Sequence, residues 1–142
     1  MFPRNLTAAQ AYSSVGIASG SMSASPHGLI LMLYDGAMLA VAAARMHMQL
    51  NQKVEKSKAI SHAVAIICDG LMASLDLNAG GEIAASLMSL YQYMVERLTE
   101  ANMHNHPQPL EEVGRLLAEL NEAWQAIGKK SQTRTAVTAG GE

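Results

Sequence analysis

The amino-acid sequence predicts an all-α protein: an antiparallel four-helix bundle with a short N-terminal helix or cap and a disordered C-terminal tail. Three observations point there. Alanine, leucine and methionine are abundant, the last present ten times, and all three favour helix. Aromatic residues make up only 4% of the chain and β-branched residues are sparse, so strand formers are in short supply. Apolar residues recur at spacings of three and four, in long stretches separated by brief polar or glycine-bearing breaks, as in amphipathic helices joined by tight turns. A length of 142 residues suits one domain with a real core.

Each element follows from local signals. In residues 1–24, Leu6 precedes Ala8, Ala11, Tyr12 and Val15, the last four spaced i, i+3, i+4 and i+7, a short amphipathic helix. The run Ser19-Gly20-Ser21-Met22-Ser23-Ala24-Ser25 then has a flexible-linker composition. The bundle is expected over 25–128. Ser25 as N-cap and Pro26 at the first helical position open a helix reaching Gln49 or Leu50. A second is predicted from about Glu55 to Leu77, closed by Asn78-Ala79-Gly80-Gly81. A third starts at Glu82, whose carboxylate suits a positive helix end, and ends near Met103, where His104-Asn105-His106-Pro107 breaks it. The fourth opens at Pro109 and closes at Gly128 before Lys129-Lys130. Residues 129–142 hold almost no bulky apolar side chain beyond Val137 and are expected to be disordered.

The fourth helix has one ordinary core stripe, Leu110, Val113, Leu117, Leu120 and Trp124. The first two helices carry more apolar surface than a core requires. Beside the stripe Ile30, Leu33, Ala37, Val41, Ala44 and Met48 runs a second, Met32, Gly36, Leu39, Ala43 and Met46. Beside Ile60, Val64, Ile67, Leu71 and Leu75 runs another, Ala59, Ile66, Gly70, Ala73 and Leu77. The small residues Gly36, Ala40, Ala43, Gly70 and Ala73 would let a foreign helix approach closely, and methionine supplies adaptable contact surface. An exposed apolar groove marks an interaction site. Tight packing of alanine-rich helices within the bundle is an equal alternative, and so is cover by the N-terminal helix acting as a displaceable plug.

Other function classes find little support. Formal charge is −2, from ten basic and twelve acidic residues spread along the chain, and no Lys/Arg stripe exists for phosphate contacts, which argues against nucleic acid. The single cysteine, Cys68, makes no internal disulfide and fits a reducing compartment. Residues 1–12 lack the layout of a signal peptide. The most apolar stretch, Leu29 to Ala44, reads as too short for a membrane span, so a cytoplasmic protein without stable membrane insertion is expected. Paired Glu-x-x-His metal motifs are absent. Glu96, Glu100 and His104, spaced i, i+4 and i+8, read as a solvated helix end rather than a metal site, and His62 as a half-exposed or groove-lining histidine. Cys68 has Asp69 beside it and no cation to favour a thiolate. Asp35 and Asp69, each before a glycine, would fix a register or accept hydrogen bonds from a partner, unless they are merely exposed. No phosphate loop or nucleophile elbow occurs. The sequence therefore predicts a non-enzyme with no cofactor and no metal; a helical-bundle enzyme or a metal- or haem-binding protein stays as the alternative.

Several short motifs carry a resemblance. Ala11-Tyr12, Ala24-Ser25-Pro26 and Leu31-Met32-Leu33-Tyr34-Asp35-Gly36-Ala37 are followed by Leu75-Asp76, Gly80-Gly81-Glu82-Ile83-Ala84, Leu90-Tyr91-Gln92-Tyr93-Met94, Arg97-Leu98, Ala101-Asn102 and Glu122-Ala123-Trp124. In this order, over about Leu6 to Ile127, the set resembles the flagellar secretion chaperone FliS family. The segment from Val15 to Ser23 departs from the family in being longer and richer in glycine and serine, and the break at 104–107 carries two histidines. The resemblance implies a four-helix bundle with a short N-terminal helix. It also implies binding of the disordered C-terminal region of flagellin, which keeps flagellin from polymerising in the cytoplasm and presents it to the flagellar type III export gate. It places Tyr34, Asp35, Gly36 and Ala37 on the first long helix and Tyr12 in the N-terminal segment. Together with the helical spacing, the expected partner-binding set is Tyr34, Asp35, Gly36, Leu39, Ala40, Ala43, Ile66, Gly70 and Ala73. The expected plug is Leu6, Ala8, Tyr12 and Val15. A monomer and a homodimer are both compatible with this reading.

Overall fold

The computed structural model describes residues 25–140, so the expected N-terminal helix and its plug residues lie outside the described residues. Four helices follow one another. Helix α1 is Pro26–Gln49. Helix α2 is Lys53–Ala65 and runs on as a π-helical segment, Ile66–Met72. Helices α3 and α4 are Leu77–His104 and Gln108–Gly140. No strand occurs among the described residues, and the fold is the all-α bundle that the sequence predicts.

The opening of α1 follows the local chemistry. The Ser25 hydroxyl accepts a hydrogen bond from the Gly28 amide at 3.1 Å, satisfying an amide that has no partner within the helix. At 24 residues α1 is long and apolar enough to cross a membrane by length and composition, so the expectation of too short a stretch fails. Its apolar face serves the bundle: Leu33, Ala37, Val41 and Ala44 are buried.

The boundary between α2 and α3 lies earlier than expected. The helical run ends at Met72, not Leu77, and the Asp76 carboxylate accepts from the Asn78 and Ala79 amides at 3.1 and 3.0 Å. Such a cap contributes about 1 kcal/mol, and it makes residues 77–80 the first turn of α3 rather than the end of α2. Gly81 has a positive φ, 55° with ψ −131°, but as a kink inside α3. Open space surrounds the position of a Cβ on Gly81, whereas one on Gly114 would meet Val41 Cγ1 at an ordinary 3.7 Å. Gly81→Ala should therefore lose about 1–3 kcal/mol through backbone strain alone. Gly114→Ala, inside α4, should gain up to about 1 kcal/mol. Paired thermal melts check both signs.

Helix α4 passes through Gly128 and stays helical to Gly140, where a disordered tail over 129–142 was expected. A glycine costs a helix only about 1 kcal/mol relative to alanine, and Lys129, Lys130, Gln132 and Arg134 beyond it are compatible with helix.

Side-chain bridges fix the helices antiparallel. Lys56, near the start of α2, donates to the Asn102 carbonyl at 3.2 Å and to Asn105 Oδ1 at 2.9 Å, at the end of α3. Lys56 is only 5% exposed, and it places an ammonium on the carbonyl end of α3, where the helix dipole favours a cation. Arg45 near the end of α1 approaches Glu111 at the start of α4, at 4.0 Å. Between α3 and α4, Glu112 accepts from Tyr93 Oη at 2.7 Å and Arg97 Nε at 2.6 Å. These two bonds hold the Glu112 carboxyl below its ordinary value near 4.5. A group with a depressed folded pKa stabilises the fold above its ordinary value and loses that contribution as pH falls through the folded one. The melting-temperature gap between wild type and Glu112→Gln should thus be open at neutral pH and close as pH falls below the ordinary glutamate value. High salt should shrink it, because the cluster lies at the surface.

Candidate functional site

The four helices leave an open apolar cavity of about 470 Å³ at one end of the bundle. The first turns of α1 contribute Pro26, His27, Leu29, Ile30 and, deeper, Tyr34; the end of the π-helical segment contributes Leu71. The turn after it adds Ser74 and Leu75, α3 adds Leu87 and Tyr91, and α4 adds Trp124. Antiparallel packing brings these together, because the starts of α1 and α3 and the later parts of α2 and α4 share one end. No lysine, arginine, aspartate or glutamate is among the lining residues. The volume lies in the range of small-molecule or side-chain pockets.

At the mouth, the His27 and Trp124 rings stack with centroids 5.1 Å apart and planes 10° from parallel. Trp124 Nε1 also donates to the His27 carbonyl at 3.1 Å. The stack fits because Gly128 has no side chain; a Cβ there would overlap the His27 ring. Deeper in, the hydroxyls of Tyr34 and Tyr91 share a hydrogen bond of 2.6 Å. Both residues are almost wholly buried, and burial raises both phenol pKa values, so they stay neutral. Residues 1–24 join the described chain at Ser25, next to the cavity wall at Pro26.

The expected partner-binding residues divide into three groups. Tyr34, Gly36, Ala40, Ile66 and Gly70 are buried. Of these only Tyr34 reaches the cavity. Ala43 and Ala73 are half-buried, and Asp35 and Leu39 are exposed, Leu39 by 72%. Ile66 and Gly70 lie in the π-helical segment and are buried there together with Ile67 and Leu71. They belong to the core in this structure, not to an open groove wall. Gly36 and Ala40 are buried small residues of α1, inside the bundle and not on an open face. Ala73 lines a separate depression with Cys68, Met72 and Met88.

Asp35 is tied within the bundle. Asn121 Nδ2 on α4 donates to Asp35 Oδ1 at 2.8 Å, and Gln125 in turn bonds Asn121, so the Asp35 carboxylate sets the register of α1 against α4. Leu39 at 72% and Met46 at 48% on α1, and Leu50 at 58% just after it, stay exposed. The excess apolar surface read from the sequence is present on α1 and mostly hidden on α2. Burial and the neighbouring Asp69 raise the Cys68 thiol pKa, opposite to what a thiolate nucleophile needs. No group of three or more His, Cys, Asp or Glu side chains able to hold a metal ion occurs among the described residues.

Sequence reasoning missed His27, Leu87 and Tyr91 as site residues and placed Trp124 in the core. A signal for Tyr91 was present: Tyr91, Met94, Leu98 and Ala101 form an i, i+3, i+7, i+10 stripe, and all four are buried. The apolar character of Leu75 and Leu87 was visible too, but not that these residues meet at a cavity.

The chain as a whole is similar to known proteins. The family described as flagellar protein FliS matches residues 8–131. The chain is 48% identical over 122 residues to the flagellar secretion chaperone FliS of Salmonella typhimurium, covering 86% of this chain and 90% of that protein. It is 40% identical over 122 residues to the flagellar secretion chaperone FliSB of Pseudomonas aeruginosa, covering 86% and 96%. With the flagellar secretion chaperone FliS of Bacillus subtilis it shares 31% identity over 113 residues, covering 79% and 83%.

Proposed function

Because this chain belongs to the FliS family of flagellar proteins, we propose that it is a cytoplasmic export chaperone for flagellin. In this reading it binds the disordered C-terminal region of flagellin, prevents premature polymerisation and presents the client to the flagellar type III export apparatus. It needs no cofactor and catalyses nothing. The observation that carries the proposal is the open apolar cavity between the helix ends, with no lysine, arginine, aspartate or glutamate in its lining. An apolar client helix can bury surface there at about 25 cal/mol per Å², which must also offset the cost of ordering a disordered chain. The exposed Leu39 and Met46 on α1, with Leu50 just after it, extend the apolar surface available to a client that wraps the bundle.

Co-purification with a C-terminal flagellin segment, followed by calorimetry at several temperatures, tests the proposal. Binding should show a large negative heat-capacity change, the mark of apolar burial coupled to folding. Failure of the segment to co-purify would remove flagellin as the client.

The N-terminal segment enters the same reading as a plug, with Leu6, Ala8, Tyr12 and Val15 as its apolar contacts. Its tether ends at the lip of the cavity, so it would compete at roughly millimolar effective concentration. Deleting residues 1–19 should tighten binding of the flagellin segment several-fold and lower solubility. Equal affinity in a matched titration would remove the plug from the account.

A further inference from the structure

We propose that the Tyr34–Tyr91 hydroxyl pair selects what the cavity accepts: an apolar occupant that brings a neutral, unpaired carbonyl oxygen, such as the last turn of a client helix. This rests on the reading of the cavity as a client's seat. Two hydroxyls carry two protons, and the single 2.6 Å bond between them engages one. The second proton has no acceptor among the described residues, although Tyr34 and Tyr91 are 1% and 2% exposed and both line the cavity. An occupant made only of hydrocarbon leaves that buried donor unmet, which is unfavourable. A carbonyl delivered to the same point supplies the missing acceptor.

The lining sets the charge of the acceptor. No lysine or arginine stands in the cavity, and its one imidazole, His27, is stacked on Trp124 at the mouth, so a carboxylate beside the hydroxyl pair would have no counter-ion there. A neutral carbonyl fits. The end of a helix supplies one, since its last four carbonyls lack partners within the helix. The apolar side chains of that same turn would fill the space between Leu71, Leu75 and Leu87.

Cyclohexanone and cyclohexane, similar in size and differing in the acceptor, test this without any protein partner. Each is titrated into the full chain and into Y34F/Y91F, with emission from Trp124, the single tryptophan, as the readout. Cyclohexanone should bind the double variant about fivefold more weakly than wild type, the loss of one hydrogen bond. Cyclohexane should bind it equally or more tightly. Parallel changes for both probes, or entry of neither into the wild-type cavity, would overturn the proposal. Removing both hydroxyls leaves no orphaned partner, so the double variant should fold. If it melts far below wild type, the single variants decide: each leaves one hydroxyl released from its neighbour. At least one of Y34F and Y91F should then hold cyclohexanone at wild-type strength, and equal loss in both would overturn the assignment. Flagellin takes no part in the experiment, so its failure to bind and a failure of carbonyl selection are separate results.

Discussion

Replacing Leu87 by arginine should weaken binding of a C-terminal flagellin segment by at least about tenfold while leaving the bundle folded. Leu87 is half-buried on α3 and lines the cavity without belonging to the fully enclosed core. In the empty protein an arginine at 87 can lay its stem along the wall and keep its guanidinium in water. A seated client would cover that route and bury an unpaired charge, a large cost. Ile83 lies one helical turn earlier on α3, is 74% exposed and is absent from the cavity lining. Ile83→Arg adds the same charge and should leave affinity within about twofold, since surface changes away from a site have small effects. Calorimetric titration of both variants checks the pair. Equal losses would mean that charge in general, not the cavity, governs binding.

Truncating Leu98 to alanine should cost about 2–5 kcal/mol, the range for deleting a fully enclosed leucine side chain. Leu98 on α3 has no exposed surface and belongs to the same core cluster as Met94, Ala101, Leu110, Val113 and Leu117. The void it leaves is ringed by helices that the Lys56 and Glu112 contacts also hold in place, so collapse into it is restricted. For a domain of this size each kcal/mol moves the melting temperature by about 2–4 °C. A fall of about 5–20 °C is expected in a thermal melt. Leu39→Ala, at a side chain 72% exposed, should move it by no more than about 2 °C. A small loss at Leu98 would mean that the core is looser than its burial indicates.

Several parts of this architecture were legible in the sequence because their signals are local. Ser25-Pro26 marks the start of α1 through a side chain and an amide three residues apart. The break after α3 was legible as well: Asn105 ends that helix in the left-handed conformation, φ 54°. The α2–α3 boundary was misplaced because two stop signals compete there. Gly80-Gly81 looks like a closing pair, but Asp76 caps the next helix first and turns Gly81 into a kink. The π-helical segment has no periodicity to betray it, since it shifts the winding only over 66–72. Ile66 and Gly70, expected in the groove, lie buried within that segment. The cavity was the least legible feature. Its mouth joins His27 to Trp124 across 97 residues, and only packed helix ends make them neighbours. The outward apolar stripe of α1 was readable, because Leu39 and Met46 lie seven residues apart on one face.

Trp124 provides the most direct measurement of the central claim, that the cavity at the bundle end seats the partner. It is the single tryptophan in the chain, half-buried at the cavity mouth. Titration with a C-terminal flagellin segment, followed by fluorescence and calorimetry on the same samples, should shift its emission to shorter wavelength in step with the heat of binding. The Leu87→Arg variant should suppress both signals together. Calorimetric saturation with unchanged Trp124 emission would place the partner elsewhere on the bundle and contradict the account.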